Sequence, residues 1–205
     1  MQENNNLTVQ LYKKIGEFHL SKDQKDLLFS FLGSIRGHDL ETYFHCIRVG
    51  LKGAEASYAF NLNPKPLFYS GLLHDVGKIS VEGKILRKVK GFSEEDFKKI
   101  KKHPWAGYFL LRKAYPFSAE ILLRHHCYGQ NPYPAKLPRT RYNRKLMEKY
   151  AQLLSLVDFH DALISRNNER FNINVNDKES VKKILVENHK EQEGLINKIF
   201  DNGIF

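Results

Sequence analysis

The spacing of apolar residues is the feature of this sequence that most restricts its fold. Along nearly the whole chain, apolar side chains recur every three or four residues, which places them on one face of an α-helix. No run alternates apolar and polar residues as a half-buried β-strand does. The pattern therefore predicts an all-α protein, a helical bundle with short connectors.

Capping residues and helix breakers indicate where these helices begin and end. Asp39 and Ser93 precede helical segments and can accept hydrogen bonds from the first turn. Pro64 and Pro66 suit the start of a helix that Gly77 would end. His103 precedes Pro104, which disfavours helical geometry at His103. The remaining helices are predicted at residues 7–18, 26–35, 104–112, 118–126, 144–164 and 180–199, with a loop at 129–138.

Length, cysteine content and apolar runs limit the class of protein. The chain has 205 residues, enough for one domain that buries its own core. Its two cysteines, Cys46 and Cys127, are too few for a disulfide framework. No apolar run approaches the roughly 18 residues of a membrane span, and the polar N-terminus does not resemble a signal peptide. We expect a cytoplasmic protein that does not enter a membrane.

The chain is strongly basic, with 33 Lys and Arg residues against 23 Asp and Glu residues and a net charge of +10. Such a charge favours anionic partners: nucleotides, nucleic acid or acidic lipid. Basic residues recur over 136–149, with Tyr142 among them. Composition alone favours a solvated basic surface there over a nucleic-acid-binding stripe.

Five of the nine histidines fall in a pattern that favours a metal site. They occur, with two aspartates, near the ends or middles of different predicted helices: His45, His74, Asp75, His103, His125, His126 and Asp158. Residues on several helices can converge on one point in a bundle, and imidazole with carboxylate suits Mn, Fe, Zn or Ni. The other four histidines are expected to be ordinary core or surface residues: His19, His38, His160 and His189.

Several spaced motifs in this chain resemble the HD superfamily of metal-dependent phosphohydrolases. The strings GLLHDVGKI at 71–79 and HCIRV at 45–49 match its HD pair and preceding helix. The segment 84–111 resembles the part of the HD-GYP subgroup that ends in a His-Pro…Gly element, here His103, Pro104 and Gly107. RHHCYGQNPYP at 124–134 occupies the place of the His-His-Glu…Gly-Tyr-Pro signature, and LVDFHDALISR at 156–166 resembles the closing Asp-x-x-Asp-Ala-Leu motif. The resemblance implies an HD domain over residues 39–205, with residues 1–38 as N-terminal helices accessory to it.

The same resemblance implies a site for two divalent transition-metal ions. Fe and Mn are the first expectation, and Zn, Ni and Mg are compatible. One metal would be bound by His45, His74, Asp75 and Asp158, and the other by His103, His125 and His126, with Asp75 bridging. Asp75 and Lys78 match catalytic positions, and Lys78 and Tyr133 match substrate-binding positions. Arg48 and Asp161 also match family positions, although a buried ion pair explains them at least as well.

The implied activity is hydrolysis of a phosphoester in a nucleotide or cyclic dinucleotide, by attack of metal-activated hydroxide on phosphorus. The chain departs from the subgroup in two places: Cys127 replaces a glutamate and Pro132 replaces a glycine. We therefore expect weak or absent turnover of cyclic di-GMP, and Cys127 is expected to pack rather than bind metal. Two alternatives stay open, an HD-fold di-iron oxygenase and a catalytically degenerate signalling or RNA-associated module. Regulation is expected through a protein partner or through residues 1–38.

Overall fold

The computed structural model describes residues 2–88, 90–165 and 174–205. Val89 in the segment 84–111, and Arg166 at the end of the motif LVDFHDALISR, lie outside the described residues. Within the described ranges the regular secondary structure is entirely helical, which confirms the all-α expectation. None of the described helices combines the length and apolarity that a bilayer crossing needs.

Eleven α-helices follow one another in the described residues, with 3-10 helices at Val76–Ser80 and Lys190–Gln192. The α-helices are α1 Gln2–Glu17, α2 Lys22–His38, α3 Leu40–Ala59, α4 Pro64–Leu73, α5 Gly83–Leu86, α6 Glu94–Ile100, α7 His103–Leu111, α8 Pro116–Leu123, α9 Arg144–Ser165, α10 Lys178–Asn188 and α11 Glu193–Asp201. Residues 129–138 form a loop, as predicted.

The predicted capping residues have their expected roles. The Asp39 carboxylate accepts hydrogen bonds from the backbone N–H and the hydroxyl of Thr42, at 2.8 and 2.6 Å. At the start of α6, Ser93 and Asp96 form a reciprocal capping box. These bonds satisfy first-turn N–H groups that no residue inside the helix can reach.

Several predicted helix bounds are wrong, and tertiary contacts explain most of them. Helix α4 ends at Leu73, before Gly77, and the chain continues as a 3-10 helix that packs Gly77 against α7. Helix α8 ends at Leu123, so His125 and His126 lie in the turns that follow it. His103 is the first residue of α7 and is itself helical. Pro104 is compatible with this because the first turn of a helix needs no donor from that residue.

The predicted helix over 180–199 is two helices, and the short helix α5 was not predicted. The chain leaves α10 at His189, which is buried and whose backbone, with φ −130° and ψ 52°, is not helical. Both halves then bury apolar side chains, Leu185 from α10 and Ile196 and Ile199 from α11. A single straight helix would lack this turn, which brings α11 back toward the core.

Helices α3 and α4 pack against each other more extensively than any other pair of described elements, and two glycines permit their contact. A β-carbon on Gly71 would lie 2.7 Å from Gly50 Cα, so the two backbones touch where the helices cross. In α3, Gly50 lies five residues after His45. In α4, Gly71 lies three residues before His74. Backbone contact at this point therefore brings the ends of the two helices, with both histidines, to the same side of the bundle.

The N-terminal helices pack onto the same core. Leu11 and Ile15 of α1 are almost fully buried, and the Phe18 ring contacts the Phe68 ring edge-on at 5.2 Å. Helix α2 is linked to the α7–α8 turn by the Tyr115 hydroxyl, which donates to the Gln24 carbonyl at 2.5 Å. Helices α1 and α2 thus share one hydrophobic core with the helices that carry the histidines.

Candidate metal centre

Three helices bring together a first cluster, defined as His45, His74 and Asp158. His45 lies in α3, His74 caps the end of α4, and Asp158 lies in α9. His45 Nε2 is 3.2 Å from His74 Nε2 and 3.0 Å from Asp158 Oδ1. His74 Nε2 lies 3.4 Å from the same carboxylate oxygen. One ligand atom from each residue lies within 4.8 Å of the others, a spacing that could hold a metal ion.

A second cluster consists of His103, His125 and His126. Its ligand atoms also lie within 4.8 Å of one another. His103 opens α7, whereas the other two occupy the turns after α8, and the Nε2 atoms of His103 and His125 are 3.5 Å apart. The second cluster is assembled by packing of α7 on α8, because His103 is 22 residues distant in sequence from His125.

Asp75 lies between the two clusters. Its Oδ2 atom is 3.4 Å from His74 Nε2 in the first cluster, and its Oδ1 atom is 3.3 Å from His103 Nε2 in the second. The residue is 1% exposed, and Oδ1 has no hydrogen-bond partner among the described residues. A buried carboxylate oxygen without a partner is costly, and a cation beside it would remove that cost.

The backbone fixes which imidazole nitrogen faces the centre. His74 Nδ1 donates to the Gly71 carbonyl at 2.8 Å, His103 Nδ1 donates to the Ile100 carbonyl at 2.7 Å, and His125 Nδ1 donates to the Leu122 carbonyl. A carbonyl only accepts, so each Nδ1 bears a proton, and each ring in its neutral form presents an unprotonated Nε2 to the centre. Several lone pairs then face one another across about 3 Å, an arrangement that a cation between them would stabilise.

The electrostatics of the clusters also suit metal ligands. Burial lowers the pKa of His103 to about 3 and that of His125 to about 4, so both rings are neutral near pH 7. Burial alone would raise the pKa of Asp75, but Lys78 and His74 outweigh it and hold that pKa well below its usual range. Burial likewise opposes ionisation of Asp158, and His74 and His45 lower its pKa instead. Burial also opposes protonation of His74, but Asp75 and Asp158 outweigh it and hold the pKa of that ring well above its usual range. The centre thus combines neutral imidazoles at His103 and His125 with two ionised carboxylates, and a metal ion at His74 would replace its proton.

Asp161 and Arg48 support the first cluster from outside. The Asp161 carboxylate accepts a hydrogen bond from His45 Nδ1 at 2.6 Å. Arg48 donates to the two oxygens of the same carboxylate, from Nε at 2.7 Å and from Nη2 at 2.9 Å. Arg48 and Asp161 therefore form the expected ion pair, although 28% of the Arg48 side chain is exposed. The Asp161 carboxylate also orients the His45 ring toward the centre.

The two cysteines lie at different distances from the proposed metal ligands. Cys127 directly follows His126, but its Sγ atom points to the carbonyls of Tyr133 and Pro134, at 3.5 and 3.9 Å. Burial raises the pKa of its thiol to about 11, so it is not a thiolate near neutral pH. Cys46 is fully buried, and its sulfur lies within 4.8 Å of ligand atoms of His74 and Asp75. The sequence did not single out Cys46 as a candidate ligand, because a cysteine on the apolar face of a helix is usually a core residue.

A cavity of about 230 Å³ opens onto one side of the centre. Two side chains line this cavity at the clusters and are partly exposed, Lys78 by 19% and Asp158 by 13%. Lys78 Nζ also forms an ion pair with Asp75 Oδ2 at 2.6 Å. The Tyr133 ring stacks on His126 at 4.5 Å and forms part of the cavity wall. The structure therefore places Lys78 and Tyr133 beside the clusters.

Ser155 and His189 are among the cavity-wall residues that the sequence did not predict as site residues. Ser155 lies one helical turn before Asp158 in α9, and its hydroxyl is 3.2 Å from His189 Nε2. His189 is buried, as expected of an ordinary core histidine, and it also lines the cavity. It reaches the cavity because the chain turns between α10 and α11, and no sequence motif marks that turn.

Comparison with known proteins agrees with this architecture. The family described as HD domain matches residues 42–163, which is more than half of the chain and contains all seven residues of the two clusters and Asp75. HD domains bind divalent metal ions, and the His/Asp clusters here could bind them.

Curated relatives share part of the sequence. A cyclic di-GMP phosphodiesterase of Thermotoga maritima is 29% identical over 159 residues, covering 70% of this chain and 41% of the relative. A cyclic di-GMP phosphodiesterase of Vibrio cholerae is 32% identical over 109 residues, covering 48% of this chain and 21% of the relative. A cyclic di-GMP phosphodiesterase response regulator of Xanthomonas campestris is 33% identical over 98 residues, covering 45% and 25% respectively. The chain spans less than half the length of these relatives, and the family match over its central helices shows that it belongs to the HD domain family.

Proposed function

We propose that the chain is a metal-dependent phosphodiesterase that uses two divalent transition-metal ions. The main support is Asp75, a buried carboxylate with one oxygen facing each histidine cluster. Within the part of the chain that the structure describes, its Oδ1 atom has no hydrogen-bond partner. His45, His74 and Asp158 would hold one ion and His103, His125 and His126 the other, with Asp75 shared. Imidazole-rich sites with carboxylates suit Fe and Mn, with Zn and Ni also compatible. Bound ions would activate a water molecule and offset the charge of phosphoryl oxygens.

The chain's own residues supply binding and orientation. The Lys78 ammonium lies at the edge of the cavity and beside Asp75, where it can contact a phosphate oxygen of a bound substrate. Tyr133, stacked on His126, covers the second cluster and limits access of water from that side. A cation next to the clusters favours an anionic substrate, which supports phosphoester hydrolysis over the di-iron oxygenase alternative.

The proposed substrate is a nucleotide or cyclic dinucleotide. The relatives named above are cyclic di-GMP phosphodiesterases, and the cavity wall offers amide groups for a nucleobase, from Gln130, Asn131 and Asn188. The loop after the second cluster differs from the subgroup, with Cys127 for glutamate and Pro132 for glycine. Proline removes a backbone donor and fixes φ, so we propose that cyclic di-GMP is a poor substrate and that other nucleotide diesters are hydrolysed faster.

The test is a turnover screen of metal-loaded protein. Protein purified without oxygen and loaded with Fe(II) or Mn(II) is assayed on bis(p-nitrophenyl) phosphate, linear dinucleotides and cyclic di-GMP. We expect metal-dependent cleavage of the first two and cleavage of cyclic di-GMP well below about 1 s⁻¹. No phosphodiester cleavage under any loading, combined with oxygen consumption by the reduced iron form, would overturn the proposal in favour of an oxygenase.

A further inference from the structure

Two cavities adjoin on the surface formed by the ends of α7 and α8, residues 137–142 and the start of α9. The larger has a volume of about 530 Å³ and the smaller about 220 Å³. They meet where Glu120, which lines the smaller, contacts Arg124, which lines the larger, at 3.4 Å. Arg139 opens onto the larger cavity and Arg141 onto the smaller. We call the two cavities together the basic groove.

The basic groove has an excess of positive charge that its own residues do not neutralise. Its acidic residues are both engaged, Glu120 with Arg124 at 3.4 Å and Glu148 with Arg144 at 2.7 Å. Across the described residues, no ion pair is formed by the four remaining cations, which are Arg112, Lys113, Arg139 and Arg141. All four are solvent-exposed. Such a concentration of like charge attracts an anion and costs stability when left alone.

Aromatic rings lie among these cations. Tyr142 lines the larger cavity and is held by edge-on contact with Phe117 at 4.8 Å, and Tyr108 lines the smaller cavity. Beside them the Phe109 ring is 56% exposed, and the Arg112 guanidinium lies 5.1 Å above its centre. Partly exposed rings among cations are typical of surfaces on which bases stack while the nucleic-acid backbone contacts positive charge.

We propose that the basic groove binds single-stranded nucleic acid, independently of the metal centre. Arg139, Arg141, Arg112 and Lys113 contact backbone phosphates, and bases stack on Tyr108 or Tyr142. Three of the four unpaired cations are arginines, whose planar guanidinium donates two parallel hydrogen bonds to a phosphate. An acidic protein segment would satisfy the charge but gives no reason for partly exposed tyrosine rings between the cations. Nucleic acid therefore fits the groove better.

The experiment measures binding of a fluorescein-labelled, 12-nucleotide single-stranded RNA to the metal-loaded protein by anisotropy, over a series of salt concentrations. RNA integrity is checked on a gel after each titration. The test variant is Arg139→Gln/Arg141→Gln, whose side chains are exposed and make no ion pair in the described structure. The control is Lys13→Gln/Lys183→Gln, which removes the same charge from exposed sites on α1 and α10.

We expect the groove variant to weaken binding at least tenfold near 0.1 M salt, and the control to change it less than twofold. Loss of two phosphate contacts should also flatten the slope of log affinity against log salt by about 1.4. Equal weakening in both variants would show attraction by net charge alone and overturn the proposal. Competition by inorganic polyphosphate as strong as that of unlabelled RNA, at equal charge, would also overturn the proposal. Equally strong competition by polyglutamate would overturn it in favour of an acidic protein partner.

Discussion

Asp75 touches both clusters, so its removal should affect both proposed ions. In Asp75→Ala, the first cluster keeps two histidines and Asp158, and the second keeps three histidines, but neither retains the carboxylate between them. We expect elemental analysis to find less than one ion per chain and phosphodiesterase activity to be lost. His103→Ala should deplete one ion only.

The matched control for Asp75→Ala is Asp26→Ala, an exposed aspartate on α2. It should keep wild-type metal content and activity. Two ions per chain in Asp75→Ala would remove Asp75 from the proposed centre and contradict the bridging role.

Lys78 tests the contribution of a charged phosphate contact. Lys78→Gln keeps the six residues of the two clusters and also Asp75, so metal content should stay unchanged. Loss of one charged contact in a partly desolvated site typically lowers turnover by about 10²–10³. Kinetics on bis(p-nitrophenyl) phosphate measure the effect, with the exposed Lys84→Gln as control. Unchanged turnover would return Lys78 to the role of a surface lysine.

At the scale of elements, the contact between the 3-10 helix Val76–Ser80 and α7 positions Asp75 relative to His103. A β-carbon on Gly77 would lie 2.0 Å from the His103 carbonyl oxygen and 2.8 Å from Gly107 N, both backbone atoms that cannot rotate away. Gly77→Ala must therefore separate the two elements. We expect a stability loss of about 1–3 kcal/mol and depletion of the ion at the second cluster.

The control for this prediction is Gly33→Ala in α2, where a β-carbon would meet nothing within 4 Å. Replacing a helical glycine in open space should raise stability by about 0.5–1 kcal/mol and leave metal content intact. Chemical denaturation with parallel metal analysis measures both variants. Full metal content in a destabilised Gly77→Ala would show that the contact supports the fold without positioning His103.

At the scale of the whole molecule, the clusters join α3, α4, α7, the turn after α8, and α9. Ions bound there would link elements distant in sequence and stabilise the folded state only. At a free metal concentration 100 times its dissociation constant, one ion adds about 2.7 kcal/mol. For a chain of this size that corresponds to a rise in melting temperature of about 5–10 °C. Asp75→Ala should show no such rise. A wild-type melting temperature that does not change when Mn(II) is added would contradict a metal centre.

The contact between Tyr115 and helix α2 makes the stability of the protein depend on pH in the alkaline range. Burial raises the pKa of Tyr115 from 10.0 to about 12, and its hydroxyl donates to Gln24 of α2. Between these values the unfolded chain releases the proton before the folded chain does. The stability contributed by Tyr115 is therefore complete below pH 10 and falls as pH rises toward 12. Denaturation of Tyr115→Phe should show a shallower decline over this window, and a decline parallel to the wild type would contradict the assignment.

The sequence by itself determined the all-α class, most of the helices and the residue types of the proposed centre. Helical periodicity of apolar residues and local capping, as at Asp39 and Ser93, depend on neighbours a few residues apart, so they can be read from the chain alone. The HD resemblance then singled out His45, His74 and Asp75 from the other polar residues.

Only the tertiary structure decided how these residues meet. The contact of Gly71 with Gly50, the contact of Gly77 with α7, and the turn at His189 join segments far apart in sequence. Their energies depend on close backbone packing, which a local pattern does not encode. The same holds for the orphaned oxygen of Asp75 and for the basic groove, where Arg112 of the α7 end and Arg141 of the following loop line one cavity. Sequence chemistry therefore determined which groups are present, and packing between distant helices determined which of them share a site.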